Sequence, residues 1–452
     1  MLRKRPKACC LLIMALFLLS SCAAPVHKGM IRDLEILPQN SVHYIPDLSR
    51  EFFSSRKQQE LYSNLEDAYF SPWSGSVPRH KKDEVFWAFA SLKGRTLYGE
   101  NLLPLSGEWL DEMREKSDIS GYPSRHEPAV TVDNAHMRVL PSSRPVFLDP
   151  DRPGQGFPFD RLQNTLVPAG TPVLITHATR EGDWAMVETG YAAGWMQWSS
   201  LALADEDFMR RYRSGSLAGV VRDREPVSTE EGRFVFTGRI GMLLPAEPGQ
   251  DMEEQPDFLV PVRDFQGRAL LVPGRASSGA VKRIPLRPTG DNFADILNSM
   301  LGEPYGWGGL YLNRDCSALL QDIFRMFGIS LPRNSAQQMR FQDPISLEGL
   351  DRREKLDLIL EQGRPLVTIL YMPGHVMLYL GADPGTGLPV VYHSMWGLRT
   401  ARFWHGQPGR FIIGRTVITS LEPGKEMTSL ARPEGLLINR LSRMTVLVQD
   451  DS

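Results

Sequence analysis

The sequence predicts an α+β fold built as domains in series: a helical arm, two small β modules, and a closing domain that mixes helices with strands. Three observations predict it. Residues 51–69 are permissive for helix and end at Ser71-Pro72-Trp73-Ser74-Gly75, a string that stops one. From about residue 126 the chain breaks into short alternating runs with Pro, Gly, Asp and Asn between them, the pattern of half-buried strands. From about residue 286 apolar positions at helical spacing are followed by at least three strand-like runs.

Each part is justified in chain order. A length of 452 residues suits about three domains or four small ones. After a leader over 1–21, residues 22–125 read as a tether (23–50) and a helical arm, with a second helix at 107–117 after Pro104 and no catalytic residue. The first β module spans 126–205 and includes TPVLITHATR, DWAMVETG and AAGWMQW. Its ending, Asp183-Trp184-Ala185-Met186-Val187 with Tyr191 and Gly194-Trp195, resembles the last hairpin of bacterial SH3-like domains. The second, 206–285, repeats the texture loosely. Pro145-Val146 and Pro226-Val227 lie 81 residues apart, and FLVPVRDFQGRALLVPG takes the place of the tryptophan hairpin, so this module reads as a diverged copy. The closing domain, 286–452, opens on a helix with Phe293, Ile296, Leu297 and Met300 on one face.

Composition narrows the function. Apolar residues make up 42% and charged ones 23%, which excludes a disordered chain, a collagen-like fibre and a polytopic membrane protein. The formal net charge is -2, and the leader carries Arg3, Lys4, Arg5 and Lys7 without an acid, so the rest is more acidic still. A chain of that charge has no footprint for phosphate backbones, and nucleic-acid binding is disfavoured. The leader pairs its basic start with an apolar run from Ala8 to Leu19, too short to span a bilayer but suited to secretion. Leu19-Ser20-Ser21-Cys22 resembles a bacterial lipobox, in which the peptide is cut before the cysteine and Cys22 is acylated. The expected location is the cell envelope, on the periplasmic face of the outer membrane where two membranes exist, since Ala23 rather than Asp follows Cys22.

Of the four cysteines, Cys9 and Cys10 leave with the leader and Cys22 is lipidated. Cys316 is then a lone exported thiol, which rules out an internal disulfide and a thiolate metal site. Its surroundings carry chemistry. A Gly-rich loop, Gly302-Glu303-Pro304-Tyr305-Gly306-Trp307-Gly308-Gly309, precedes Asp315-Cys316-Ser317, and Leu319, Leu320, Ile323, Phe324 and Phe327 then mark a helix. Asp315 suits the N-cap, which puts Cys316 in the first turn, where the helix dipole favours a thiolate by ~0.3–1 kcal/mol. PLVTILY, HVMLYLG and LPVVYHS read as strands, the last two as a hairpin turning near Pro384 or Gly385. His375 and His393 are 18 apart, an even number, so a symmetric turn places them opposite or diagonal on one face. A one-residue slip would separate them. His27, His43, His80, His126, His136, His177 and His405 have no such relation to a nucleophile and read as surface or structural; no metal site is expected.

PYGWGG, DCS at a helix start, LPRNSAQQ, GHVMLYLG and VYHS, in that order over about 286–415, resemble the NlpC superfamily of cell-wall cysteine peptidases. The resemblance implies a papain-like catalytic domain preceded by two SH3-like barrels and the helical arm. It implies Cys316 as nucleophile, His375 as general base and His393 as the orienting third member. It also implies a peptidoglycan stem peptide as substrate, cut between γ-D-glutamate and a diamino acid such as meso-diaminopimelate with a preference for a free N-terminal L-Ala. No cofactor is implied. Tyr305, Trp307, Asp315, Ser317, Asn334 and Ser335 match groove positions, Asp315 as partner of the stem's free amine and Asn334 where an Asp is usual; Tyr191 is the expected contribution of the barrel. The partners expected are muropeptides and, through the lipid, a membrane, for a monomeric chain. Two other readings stay open: a lipid-tethered wall-binding protein with an inactive enzyme fold, and a thiol acyltransferase or amidase acting on another amide.

Overall fold

Helix α1 (Ser55–Phe70) starts where Ser54 Oγ accepts from the Lys57 N–H at 3.2 Å, and it gives way to a tight turn at Ser71–Trp73. Leu61, Tyr62, Leu65 and Tyr69 make its buried stripe. The computed structural model describes residues 26–28, 30–75, 77–248, 256–401 and 409–449; Cys22, the leader and His405 lie outside them. The first turns of α1 seat on the closing domain, where Gln58 Nε2 donates to the carbonyls of Leu286 (2.7 Å) and Phe327 (3.2 Å), and its last turn seats on the barrels, where the Tyr69 hydroxyl lies 2.9 Å from the Gly170 carbonyl and 3.1 Å from that of Leu243. The helix expected at 107–117 runs Trp109–Lys116, after two short ones at Lys82–Val85 and Trp87–Leu92. No helix among the described residues is long and apolar enough to cross a membrane.

The expectation of a tether over 23–50 is corrected. Strand β1 (Val26–Lys28) pairs parallel with the edge of the closing sheet. Ile31, Leu37, Tyr44 and Ile45 are buried, and Asp33 accepts from the Ser420 N–H and hydroxyl. Four apolar anchors spaced through a polar segment were too sparse to register as an element, yet they are enough to dock it.

The first barrel is a seven-stranded sheet in the order Gln163–Val167, Ala135–Arg138, Ala193–Gln197, Trp184–Glu188, Pro172–Ala178, Glu127–Thr131 and Leu201–Leu203. Trp195 is fully buried in it. Gly194 beside it is required by close packing, since a Cβ there would meet the Arg138 carbonyl at 2.7 Å. The second barrel closes a four-stranded sheet (Phe234–Gly238, Glu225–Thr229, Ala269–Arg275, Leu259–Arg263) against a three-stranded one (Leu243–Pro245, Leu217–Val220, Val281–Arg283) over Phe236, Met242 and Val260.

In the closing domain α2 (Gly290–Met300) buries Phe293, Ile296, Leu297 and Met300 and stacks Phe293 on Phe327 with ring centres 3.8 Å apart. Helix α3 (Cys316–Met326) is buried along its whole length. It lies against β4 (His375–Ala382) and β5 (Pro389–Thr400) of a sheet that also holds β2 (Ile345–Ser346), β3 (Thr368–Met372), β6 (Gly409–Ser420) and β7 (Arg443–Val446), in the order β1-β6-β5-β4-β3-β7-β2. The segment beyond 419 is thus part of the fold, with β7 wedged between β3 and β2. The second barrel meets α3 through buried charges: Arg314 donates to Asp223, to Asp322 and to the Ile240 carbonyl.

Candidate active site

Asp315 caps α3 by accepting from the Ala318 N–H at 2.8 Å, so Cys316 is the first helical residue and its own N–H has no acceptor inside the helix. The thiol is buried, 8% exposed, and is the free cysteine of the described chain. Opposite it stands the hairpin of β4 and β5. His375 Nε2 and His393 Nδ1 are 2.8 Å apart, and His393 Nε2 lies 3.1 Å from the Thr419 hydroxyl. That hydroxyl donates to the Ser420 carbonyl at 2.8 Å, so it accepts from His393 Nε2–H. His393 Nδ1 then accepts from His375 Nε2–H, which leaves the lone pair of His375 on Nδ1.

The pairing of the two rings depends on a bulge. At the turn end of the hairpin Ala382 faces Pro389. Continued without a break, that register sets His393 opposite Leu378 and turns it to the far side of the sheet from His375. One extra residue on β4, between Tyr379 and Gly381, shifts the pairing so that Leu378 faces Tyr392. Gly381 takes the φ of +127° that the distortion needs. The histidines end up diagonal on one face with ring centres 5.0 Å apart.

Electrostatics correct one expectation. The helix terminus does not create a standing thiolate. Burial first, and the Asp315 carboxylate second, push Cys316 up to about 12, against the Val376 N–H, Arg333 and the Ser317 N–H. Burial, then Arg440, pushes His375 down to about 4, against Asp315. Burial, then His375, holds His393 well below the imidazole range. The shifts of Cys316 and His375 both favour a neutral thiol and a neutral imidazole in the resting site.

Cys316 and His375 line a cleft of ≈ 330 Å³ together with Tyr305, Trp307 and, from the first barrel, Phe159. The loop carrying Tyr305 and Trp307 is fastened to that barrel. Trp307 Nε1 donates to the Asp160 carbonyl (2.9 Å), and Gln163 Nε2 donates to the Gly308 carbonyl (2.8 Å). Gly309, at φ +85°, has no room for a Cβ, which would lie 2.4 Å from that of Leu166. Phe159 packs edge-on against Trp307 at 5.1 Å and Trp396 at 5.9 Å.

Five expected site residues stand elsewhere or are occupied. Asp315 is not free for a substrate amine. Arg333 holds it at 3.1 and 2.7 Å, and the N–H groups of Gly308 and Ala318 and the Ser317 hydroxyl also donate to it. Burial alone would raise this carboxyl, but the charge and hydrogen bonds of Arg333 outweigh it and hold it below the ordinary range. Ser317 is spent within the same group, accepting from Arg333 at 2.9 Å. Asn334 is an exposed cap for Ser335–Gln338 that accepts from the Gln337 N–H, and neither it nor Ser335 lines the cleft. Tyr191 lies under Arg325, 5.3 Å from guanidinium to ring centre, away from Cys316. Missing from the sequence reading are Phe159, Arg161, Trp396, Arg399, Arg410 and Arg440. Among the described residues no group of three or more His, Cys, Asp or Glu is placed to hold a metal ion.

Residues 302–387, which include Cys316 and His375, match the NlpC/P60 family. The chain carries an NlpC/P60 domain. An NlpC/P60 N-terminal stabilising domain matches 11–122, an SH3b1-type domain 145–197 and an SH3b2-type domain 205–248. The chain is 29% identical over 110 residues to a gamma-D-glutamyl-L-lysine dipeptidyl-peptidase of Bacillus subtilis (23% of this chain) and 30% identical over 95 residues to a protein of that name from Bacillus cereus (21% of this chain). Those matches span 36% and 27% of the relatives' own length. Among solved structures, an NlpC/P60 endopeptidase of Photobacterium damselae subsp. piscicida superposes with a TM-score of 0.83 over 95% of this chain and 100% of that one, at 24% identity. The two share the fold over that span.

Proposed function

We propose that the chain is a peptidoglycan hydrolase that cuts stem peptides between γ-D-glutamate and the diamino acid, meso-diaminopimelate, through Cys316, His375 and His393. The observation that carries this reading is the thiol at the head of α3, sharing its cleft with an imidazole whose outer nitrogen is held 2.8 Å from a second, buried one. His375 Nδ1 takes the thiol proton as sulfur attacks the γ-glutamyl carbonyl. The Cys316 N–H faces the developing oxyanion, a type of contact that contributes ~3–4 kcal/mol. The C–N bond breaks as imidazolium protonates the leaving amine, and water then resolves the thioester with His375 as base. His393 and Thr419 keep the lone pair of His375 on the nitrogen that works. A preference for a free L-Ala is not carried into this reading, since among the described residues no carboxylate lines the cleft to receive its ammonium. Export and acylation at Cys22 belong to the proposal on the strength of residues 1–22 alone.

Incubation with defined muropeptides and mass spectrometry of the products tests it. The expected result is γ-glutamyl-terminated and diaminopimelate-initiated fragments that together carry the elements of one water; transfer products or intact peptides overturn it. A pH profile adds a second check. The base must be neutral to act, and His375 is held down to about 4, so kcat/KM stays level through mild acid and falls as the pH drops through about 4. Arg440→Gln removes a cation that depresses His375 and moves this limb upward. An acid limb at the ordinary imidazole value of ~6.5 in the wild-type chain contradicts the burial argument.

A further inference from the structure

Three arginines converge on one half of the cleft. Arg399 of β5 and Arg410 of β6 are directly opposite in the antiparallel register, and Arg440 reaches the same wall from the C-terminal segment. Like charges facing each other across a strand pair are destabilising. Burial, then Arg399 and Arg440, lowers Arg410, and burial, then Arg399, lowers Arg440. Among the described residues no carboxylate lines the cleft, and the hydrogen bonds of these side chains go to neutral carbonyls, Arg440 to Pro373 at 3.3 Å and Arg410 to Gly409 at 3.2 Å. Across the cleft, the buried Nε of Arg161 on the first barrel has no partner.

The place of the cluster fixes its side of the reaction. Arg440 holds the carbonyl of Pro373, two residues before His375. His375 hands its proton to the leaving amine, so the wall beside it faces the leaving residue and not the acyl half. An anion there would neutralise the cluster through charge-assisted, bidentate bonds.

We propose that Arg399, Arg410 and Arg440 form an anion subsite that takes a carboxylate of the leaving diamino acid, so that this chain selects its substrate by that negative charge. The proposal rests on the hydrolase reading for the identity of the leaving group. Two carboxylates of a terminal meso-diaminopimelate qualify: the one at its α-carbon and the one at the far end of its side chain. Lysine keeps the first and lacks the second.

Four peptides test it: L-Ala-γ-D-Glu followed by meso-diaminopimelate or by L-Lys, each with a free or an amidated α-carboxyl. Binding of each to the Cys316→Ala chain is measured by calorimetry, and cleavage by the wild type is measured separately. Loss of one charge-assisted pair should weaken binding by about tenfold or more. Weaker binding of the lysine peptides assigns the subsite to the side-chain carboxylate, and weaker binding of the amides assigns it to the α-carboxylate; either supports the proposal. In Arg410→Gln and Arg440→Gln, each combined with Cys316→Ala, the affinity ratio between the preferred and the deprived peptide should shrink toward one. Equal affinity for all four peptides, or a ratio that the arginine variants leave unchanged, overturns it. Selective binding without cleavage by the wild type sinks the hydrolase reading and leaves the subsite standing.

Discussion

Replacing Cys316 by alanine should abolish muropeptide cleavage, a fall of about 10⁴-fold or more in kcat, while the chain stays folded. The size of the effect follows from the mechanism. No other cysteine is present among the described residues, and water has no thiol to borrow. Folding should survive because the side chain loses only a sulfur, the cap from Asp315 to Ala318 does not involve it, and the rest of α3 stays packed under the sheet. The check is a pair of measurements on one preparation: product formation by mass spectrometry and the circular dichroism spectrum. Digestion by the alanine variant at the wild-type rate removes Cys316 from the chemistry; loss of the folded spectrum would show that the sulfur has a structural duty denied to it here. His375→Ala should come close to the same loss, since a thiol held up at about 12 supplies almost no thiolate without its base.

Arg333→Met is expected to be the most damaging single change to stability near the site, costing about 3–5 kcal/mol. Arg333 is 8% exposed and spans two domains, donating to Asp315 and Ser317 in the closing domain and to Thr165 of the first barrel at 2.7 Å. Methionine fills a similar volume but strands a buried carboxylate. Arg333→Lys should recover only part of the loss, because an ammonium cannot make the paired contact. Urea unfolding followed by tryptophan fluorescence measures it, and an unchanged midpoint for the methionine variant refutes the account. The pH dependence carries a sign. Asp315 is held below its ordinary value by Arg333, so the pair stabilises the fold fully above the unfolded carboxyl range near ~4 and loses that contribution as the pH falls through the lower folded value. The gap between wild type and Arg333→Met should narrow in that acid window.

Much of the site was legible in the sequence, for reasons that can be stated. The first turn of α3 is a local matter: a capping Asp and an apolar stripe after it define where Cys316 sits. The hairpin of His375 and His393 was legible only by compensation. Counting 18 residues and assuming a symmetric turn gives the right face, but the turn is off by one and the bulge at Leu380 restores it. Two departures from regularity cancelled, and neither leaves a mark in the periodicity. Asp315 shows the limit of reading residue types, because an acid beside a nucleophile looks available until Arg333, 18 positions later, is seen to hold both its oxygens. The arginine wall was invisible because its members come from two strands and a short C-terminal helix, Leu437–Arg440, with no shared spacing. Residues 30–50 were missed for a different cause: their anchors are matched to grooves on the sheet, and a groove is not written beside the segment that fills it.

The attachment of α1 to the carbonyls of Leu286 and Phe327 has a consequence for how this protein is made. The arm leaves the ribosome more than two hundred residues before the surface that will cover it. Tyr69 at the far end of α1 can meet the Gly170 and Leu243 carbonyls once the barrels have emerged, but Gln58 waits for both its acceptors, so α1 docks from its C-terminal end and its first turns settle last.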